Sequence, residues 1–224
     1  MRKIKKDYVF INNFNGYMLF WVFIFGSLAG FLFEGIWSIF FDGGWKNHSA
    51  TVWGPFCVIY GIGSAAIYAL AYLMRNQSIV IQFVVYMFAG SLIEFMGSLF
   101  QEACFGSVSW DYSHHLWNID GRVSIIMAVI WGVLGVLYSK LLYSPLQKLF
   151  LRFNGKSGFI ITWVVILFMS VNVLLSCFAV HRWNERLKDR PADNGFDVFL
   201  DEHYDNDRMN NIYQSMYFVA DNSR

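Results

Sequence analysis

Charge is what this sequence has least of. Lys, Arg, Asp and Glu make up 15% of its 224 residues, against about 25% in a soluble globular chain. Water-facing surface needs charge, so the deficit argues against a soluble domain. Proline is scarce at three residues, which leaves long stretches free to be helical. The three cysteines, Cys57, Cys104 and Cys177, are far apart and form no CxxC pair or metal-type spacing. They read as small buried hydrophobes. A net charge of +1 gives no electrostatic footprint for nucleic acid. No nucleotide-binding motif is present. Gly155-Lys156-Ser157 has the end of a phosphate loop, but the earlier glycine that such a loop requires is Phe150 here.

What the chain has is apolar length: 56% of residues are hydrophobic and 20% aromatic. A helix needs about 20 apolar residues to cross about 30 Å of hydrocarbon. Segments 17–41, 55–74, 79–104, 122–143 and 158–180 qualify or nearly do. None alternates with period two, and lipid leaves the backbone only helix or closed barrel. The expected fold class is therefore all-α: a polytopic helical membrane protein with about five transmembrane helices. The expected division is an N-terminal segment 1–16, a four-helix membrane domain 17–146, a connection and fifth helix 147–181, and a polar acidic tail 182–224. The first apolar run is too long for a signal-peptide core and is expected to remain as an anchor. Pro145 and Gly155 punctuate the connection 144–157. Nine of the 16 acidic residues follow His181. The tail they fill is expected to be a mobile or weakly helical extension.

Basic residues orient the helices, because short cytoplasmic loops collect Lys and Arg. Arg2, Lys3, Lys5, Lys6, Arg75, Lys140, Lys148, Arg152 and Lys156 fall on one side. Lys46 and Arg122 fall on the other. The N-terminus is expected in the cytoplasm of a multi-pass cell-membrane protein, with loops 42–54 and 105–121 outside. Arg182, Arg186, Lys188 and Arg190 run against that count. Either the earlier helices dominate or helix 5 does not cross fully.

An internal repeat stands out. Residues 30–41 (GFLFEGIWSIFF) and 90–101 (GSLIEFMGSLFQ) agree at five of twelve positions, including Gly30/Gly90, Glu34/Glu94 and Ser38/Ser98. Downstream, Val58-Ile59-Tyr60-Gly61 echoes Val129-Ile130-Trp131-Gly132. Two tandem helical hairpins, helices 1–2 and 3–4, are expected in parallel orientation. Steps of four keep Gly30, Glu34 and Ser38 on one stripe, and likewise Gly90, Glu94 and Ser98, with Gln101 beside them. An ionised carboxylate facing lipid costs about 3 kcal/mol or more, so both stripes are expected to face inward. Glu34 and Glu94 are either groups of a substrate or proton pathway, with Tyr60, Gln101 and Arg122, or polar clamps that hold helices together. Arg122 could bind an anionic headgroup, snorkel, or pair with Glu94. Asp111, His114 and His115 carry only a weak metal signal, and no metal or other cofactor is expected.

Two strings in the outer loops carry a family resemblance. The first includes Trp53, Gly54, Pro55, Phe56, Tyr60 and Gly61. The second is Trp110, Asp111, Tyr112 and Ser113, followed by Asn118, Gly121 and Arg122. Over residues 17–146 the chain resembles the type IV, CmpB-like group of ABC-transporter permeases. Val58 departs from that pattern where a proline is usual, and His114-His115-Leu116 replace a common Pro-Phe. Helix 5 and the tail fall outside the resemblance. It implies a membrane permease-like protein with ATP hydrolysis, if any, in a separate subunit. The chain itself is expected to be no enzyme. Its expected partners are the lipid bilayer and a second copy or partner membrane subunit, since four or five helices are few for a complete pathway. The alternatives are a non-transporting accessory protein and, with least support, a lipid-acting enzyme using Asp111 with His114 or His115.

Overall fold

A computed structural model of the chain describes residues 9–219. The basic residues Arg2, Lys3, Lys5 and Lys6 lie outside the described residues. The long apolar runs are helices, as the absence of water in a bilayer requires. These are α1 (Gly16–Phe41), α2 (Val58–Leu73), α3 (Ile79–Phe105), α4 (Ile125–Leu137), α5 (Tyr143–Leu151) and α6 (Lys156–Leu187). Asn15, Ser78 and Ser124 cap α1, α3 and α4 by accepting from Met18, Ile81 and Met127 N–H. Gly106, at φ +63°, ends α3 in the left-handed conformation that glycine adopts freely.

Four helical segments among the described residues are long and apolar enough to cross a membrane: 16–41, 79–105, 125–151 and 156–187. The fifth, α2, has 16 residues, about 24 Å at 1.5 Å per residue. It is shorter than the expected 55–74. The reason lies in the segment before it, which is not helical but folds back along α1. Cys57 N–H donates to the Ser27 carbonyl near the middle of α1. Two side chains of α6 satisfy the same segment. Asn172 accepts from Trp53 N–H and donates to the Trp53 carbonyl, and Ser176 Oγ accepts from Val52 N–H. Irregular backbone at membrane depth survives only with such partners. Loop 42–57 is therefore partly re-entrant.

The fourth span differs from expectation too. Pro145 does not end it. The helix passes through a π-helical turn at Tyr138–Leu142 and continues as α5. Proline removes the bond to the Leu141 carbonyl and crowds it, and a widened turn just before it accommodates both effects.

Two apolar clusters mark opposite ends. One gathers Ile11, Met18, Trp21, Tyr68, Phe150 and Met169. There Phe10 and Ile11 N–H donate to Asn154 Oδ1, and Phe14 stacks on Tyr72 at 4.6 Å. The N-terminal segment, the 74–78 turn and the connection before α6 thus share one end. The other cluster joins Val52 and Trp183 to Leu200, Tyr204, Met209 and Tyr213 of the tail.

The tail is packed, not the loose extension its composition suggested. It forms α7 (Gly195–His203) and α8 (Asn206–Ile212). Arg182 and Arg186 hold Asp201 at 2.8 and 2.7 Å. The Arg182 hydrogen bond above all, with Arg186 adding to it, keeps the Asp201 carboxyl below the usual carboxylate range. Strand β4 (Tyr217–Phe218) pairs antiparallel with β1 (Ser107–Val108), just after α3. A second two-stranded ribbon, β2 (Asn118–Ile119) with β3 (Val123–Ser124), leads into α4. The 32 residues of α6 reach about 48 Å, enough to cross and project beyond hydrocarbon. This helix is long and apolar enough to cross, and of the basic residues at its end Arg182 and Arg186 pair with Asp201 of the tail.

Candidate functional site

The repeat that the sequence announces reappears as repeated side-chain contacts. In the first half, Gly30 sits one turn below Glu34. A Cβ on Gly30 would lie 2.3 Å from the Tyr60 Cβ, so only glycine lets α2 come this close. That approach lets Tyr60 Oη donate to Glu34 Oε1. In the second half, a Cβ on Gly90 would lie 2.3 Å from Trp131 Cγ, and Trp131 Nε1 donates to Glu94 Oε2 at 3.2 Å. Tyr60 and Trp131 are the residues paired by the sequence echo. Their rings lie 6.4 Å apart, linking the two carboxylates through aromatic contact. Phe23 packs on Gly61 as Phe83 packs on Gly132. Helices α1–α2 and α3–α4 thus form two hairpins with equivalent seams.

The serines are equivalent too, since each holds the loop that follows its helix. Ser38 Oγ accepts from Lys46 N–H at 3.0 Å, and Ser98 Oγ accepts from Arg122 Nη1 at 3.1 Å. Each Glu also meets its own loop. His48 Nδ1 lies 4.0 Å from Glu34 Oε2. Tyr112 Oη donates to Glu94 Oε1 at 2.8 Å. Burial, followed by the charge of Glu94, pushes the Tyr112 phenol above its ordinary value, so it stays a donor.

Arg122 does not pair with Glu94. It binds Glu102 at 2.6 Å and Asp120 at 2.8 Å. Glu102 continues the four-residue stripe through Glu94 and Ser98 and lies two turns beyond Glu94, toward the end of α3. That is the level at which the β2–β3 ribbon delivers Arg122. Gln101 is likewise a loop clamp, donating to Ser107 and Ser109.

The rest of the second string knits its own loop. Trp110 Nε1 donates to the Arg122 carbonyl, and Tyr112 N–H donates to the Gly121 carbonyl. Asp111 accepts from Ser113 N–H, and Asn118 accepts from Gly121 N–H. Gly121 has φ +64°, and a Cβ there would meet Asp111 at 2.5 Å. This loop holds Tyr112 over Glu94. In the first string, Gly54 turns at φ +81° and its carbonyl accepts from Ser49 Oγ. Trp53 and Pro55 lie in the re-entrant stretch, and Gly61 seats α2 against Ser27.

Sequence reasoning missed His48, Glu102, Asn172 and Ser176. Glu102 had a signal in the period-four stripe, and Asn172 and Ser176 in their place on one face of an apolar helix. His48 had none, because a tail more than 160 residues away helps to place it. His48 and Tyr213 form a backbone bridge, and Asn47 N–H donates to Gln214 Oε1.

A membrane bundle of two hairpins carrying inward carboxylates is the architecture these contacts define. The family described as "Putative ABC-transporter type IV" matches residues 21–177. The chain belongs to this family of ABC-transporter-type membrane proteins. The match extends past residue 146 into most of α6, further than the resemblance read from the two strings. No curated protein and no solved structure matches the chain.

Proposed function

We propose that this chain is a permease-like membrane subunit of an ABC-type transporter, with a polar site in its outer half near Glu34 and Glu94. The Arg122 loop closes that site from outside. The observation that carries the reading is the placement of a buried or half-buried carboxylate at equivalent points of two hairpins. Each lies against the loop that follows its helix as well as against a facing helix. Ionisable groups at that depth are costly and mark pathways. The chain hydrolyses no ATP itself. A separate subunit supplies that step, and a second copy or partner subunit completes the pathway. The nine-to-two division of basic residues supports a cytoplasmic N-terminus.

A second reading, a non-transporting accessory protein, draws on one observation. Both oxygens of Glu94 are held by neutral donors, as a structural clamp would have them. Growth or flux measured in a strain lacking the chain separates the two. The transport reading predicts that Glu34→Gln, complementing that strain, loses most function while inserting normally. If Glu34→Gln and Glu94→Gln both insert and retain full function, the accessory reading replaces it.

A further inference from the structure

The two halves of the repeat are alike in backbone and unlike in chemistry. Glu94 is 5% exposed and both its oxygens accept hydrogen bonds, from Tyr112 and Trp131. Neither donor titrates near neutral pH. Glu34 has a side chain 27% exposed, and among the described residues Tyr60 donates to its Oε1. Its Oε2 faces a titratable ring instead. His48 Nδ1 lies 4.0 Å away, about 1 Å beyond hydrogen-bond contact. The other ring nitrogen, His48 Nε2, is buried and has no partner among the described residues.

We infer that Glu34, His48 and Tyr60 form a proton-binding site of the first hairpin, while Glu94 is a fixed clamp in the second. This rests on the proposed outer-half site and names its ligand as a proton. The geometry supplies a donor and an acceptor. With His48 charged and Glu34 ionised, a small approach lets the Nδ1–H bond break and an Oε2–H bond form. His48 is then neutral with its remaining proton on Nε2, and Nδ1 is the position at which its ring regains a proton. Tyr60 keeps Oε1 fixed throughout, so Oε2 alone changes state.

The surroundings neither duplicate nor cancel this pair. Tyr60 and Cys57 face Glu34 from the start of α2, and Tyr112 senses its charge from the second outer loop. All three are neutral acids near neutral pH. Asp42 and Lys46, at the end of α1 and in the loop, neutralise each other at 2.8 Å. The tail reaches His48 through backbone at Tyr213. His48 is therefore the basic side chain placed next to Glu34.

Infrared difference spectroscopy of the full chain in lipid nanodiscs, titrated with pH, tests this without any need for transport. The inference predicts that the protonated-carboxyl absorption, to which the other acidic residues also contribute, contains one separate band whose intensity follows pH. Glu34→Gln abolishes it and Glu94→Gln leaves it. His48→Gln leaves the band but moves its midpoint, because the neighbouring basic group is gone. A band that survives Glu34→Gln, or disappears in Glu94→Gln, overturns the inference. So does a midpoint indifferent to His48→Gln. If Glu34→Gln does not fold, Glu34→Asp carries the test, and an unshifted band then counts against it. A titrating Glu34 in a chain that supports no flux would keep this inference and remove the transport reading. Flux with a silent Glu34 would do the opposite.

Discussion

Glycine placement fixes how near the hairpin helices come, and so which side chains reach the carboxylates. At Gly30 and Gly90 an added methyl would fall 2.3 Å from a ring-bearing side chain of the facing helix. Alanine favours helix by about 1 kcal/mol, yet forced overpacking costs about 1–3 kcal/mol, so the steric effect wins. Gly30→Ala and Gly90→Ala are each expected to lower the thermal unfolding temperature in detergent. An unchanged or higher temperature would show that the seam is looser than described. Much at this scale was legible beforehand. Glycine, glutamate and serine at steps of four named the stripe, and the Tyr60/Trp131 echo named the helix that faces it. The partner of Arg122 was not legible. Glu94, Glu102, Asp111 and Asp120 all lay within reach of a sequence argument, and only the path of the β2–β3 ribbon selects Glu102 and Asp120.

Among the elements, the apolar spans could be read from composition and the irregular ones could not. A re-entrant stretch looks like the start of a helix until Asn172 and Ser176 are seen to hold its backbone. Pro145 looked like a terminator, but a π-helical turn absorbs it. The tail looked loose because Asp and Asn dominate it. Its order comes from a few anchors, Leu200, Tyr204, Met209 and Tyr213, and from Asp201 between two arginines. Asp201 is depressed in the folded state. Its contribution is therefore present above the unfolded value of about pH 4. It is lost as pH falls through the lower folded value. Cleavage of the tail by pepsin should accelerate across that acid window. At neutral pH, Asp201→Asn should raise trypsin cleavage after Arg208 by about tenfold, as loss of charge-assisted hydrogen bonds implies. A cleavage rate equal to that of the native chain would show that apolar packing alone holds the tail.

For the whole molecule, four helical segments long enough to span and the shorter α2 run end to end, so that residues 9–15 and the tail lie at opposite ends and loops 42–54 and 105–121 lie with the tail. The structure groups residues by end: Phe14 with Tyr72 at one, and the tail with loops 42–54 and 105–121 at the other. Which end faces out rests on the basic residues, several of them in the first six positions. The most direct measurement is cysteine labelling by a membrane-impermeant reagent on intact cells, with Cys57, Cys104 and Cys177 replaced. Asn76, His114 and Asn210 are exposed positions for single cysteines. Asn76→Cys is expected to stay unlabelled until the membrane is opened, while His114→Cys and Asn210→Cys label from outside. Labelling of Asn76→Cys in intact cells would reverse the orientation. Opposite behaviour of His114→Cys and Asn210→Cys would contradict this arrangement of ends itself.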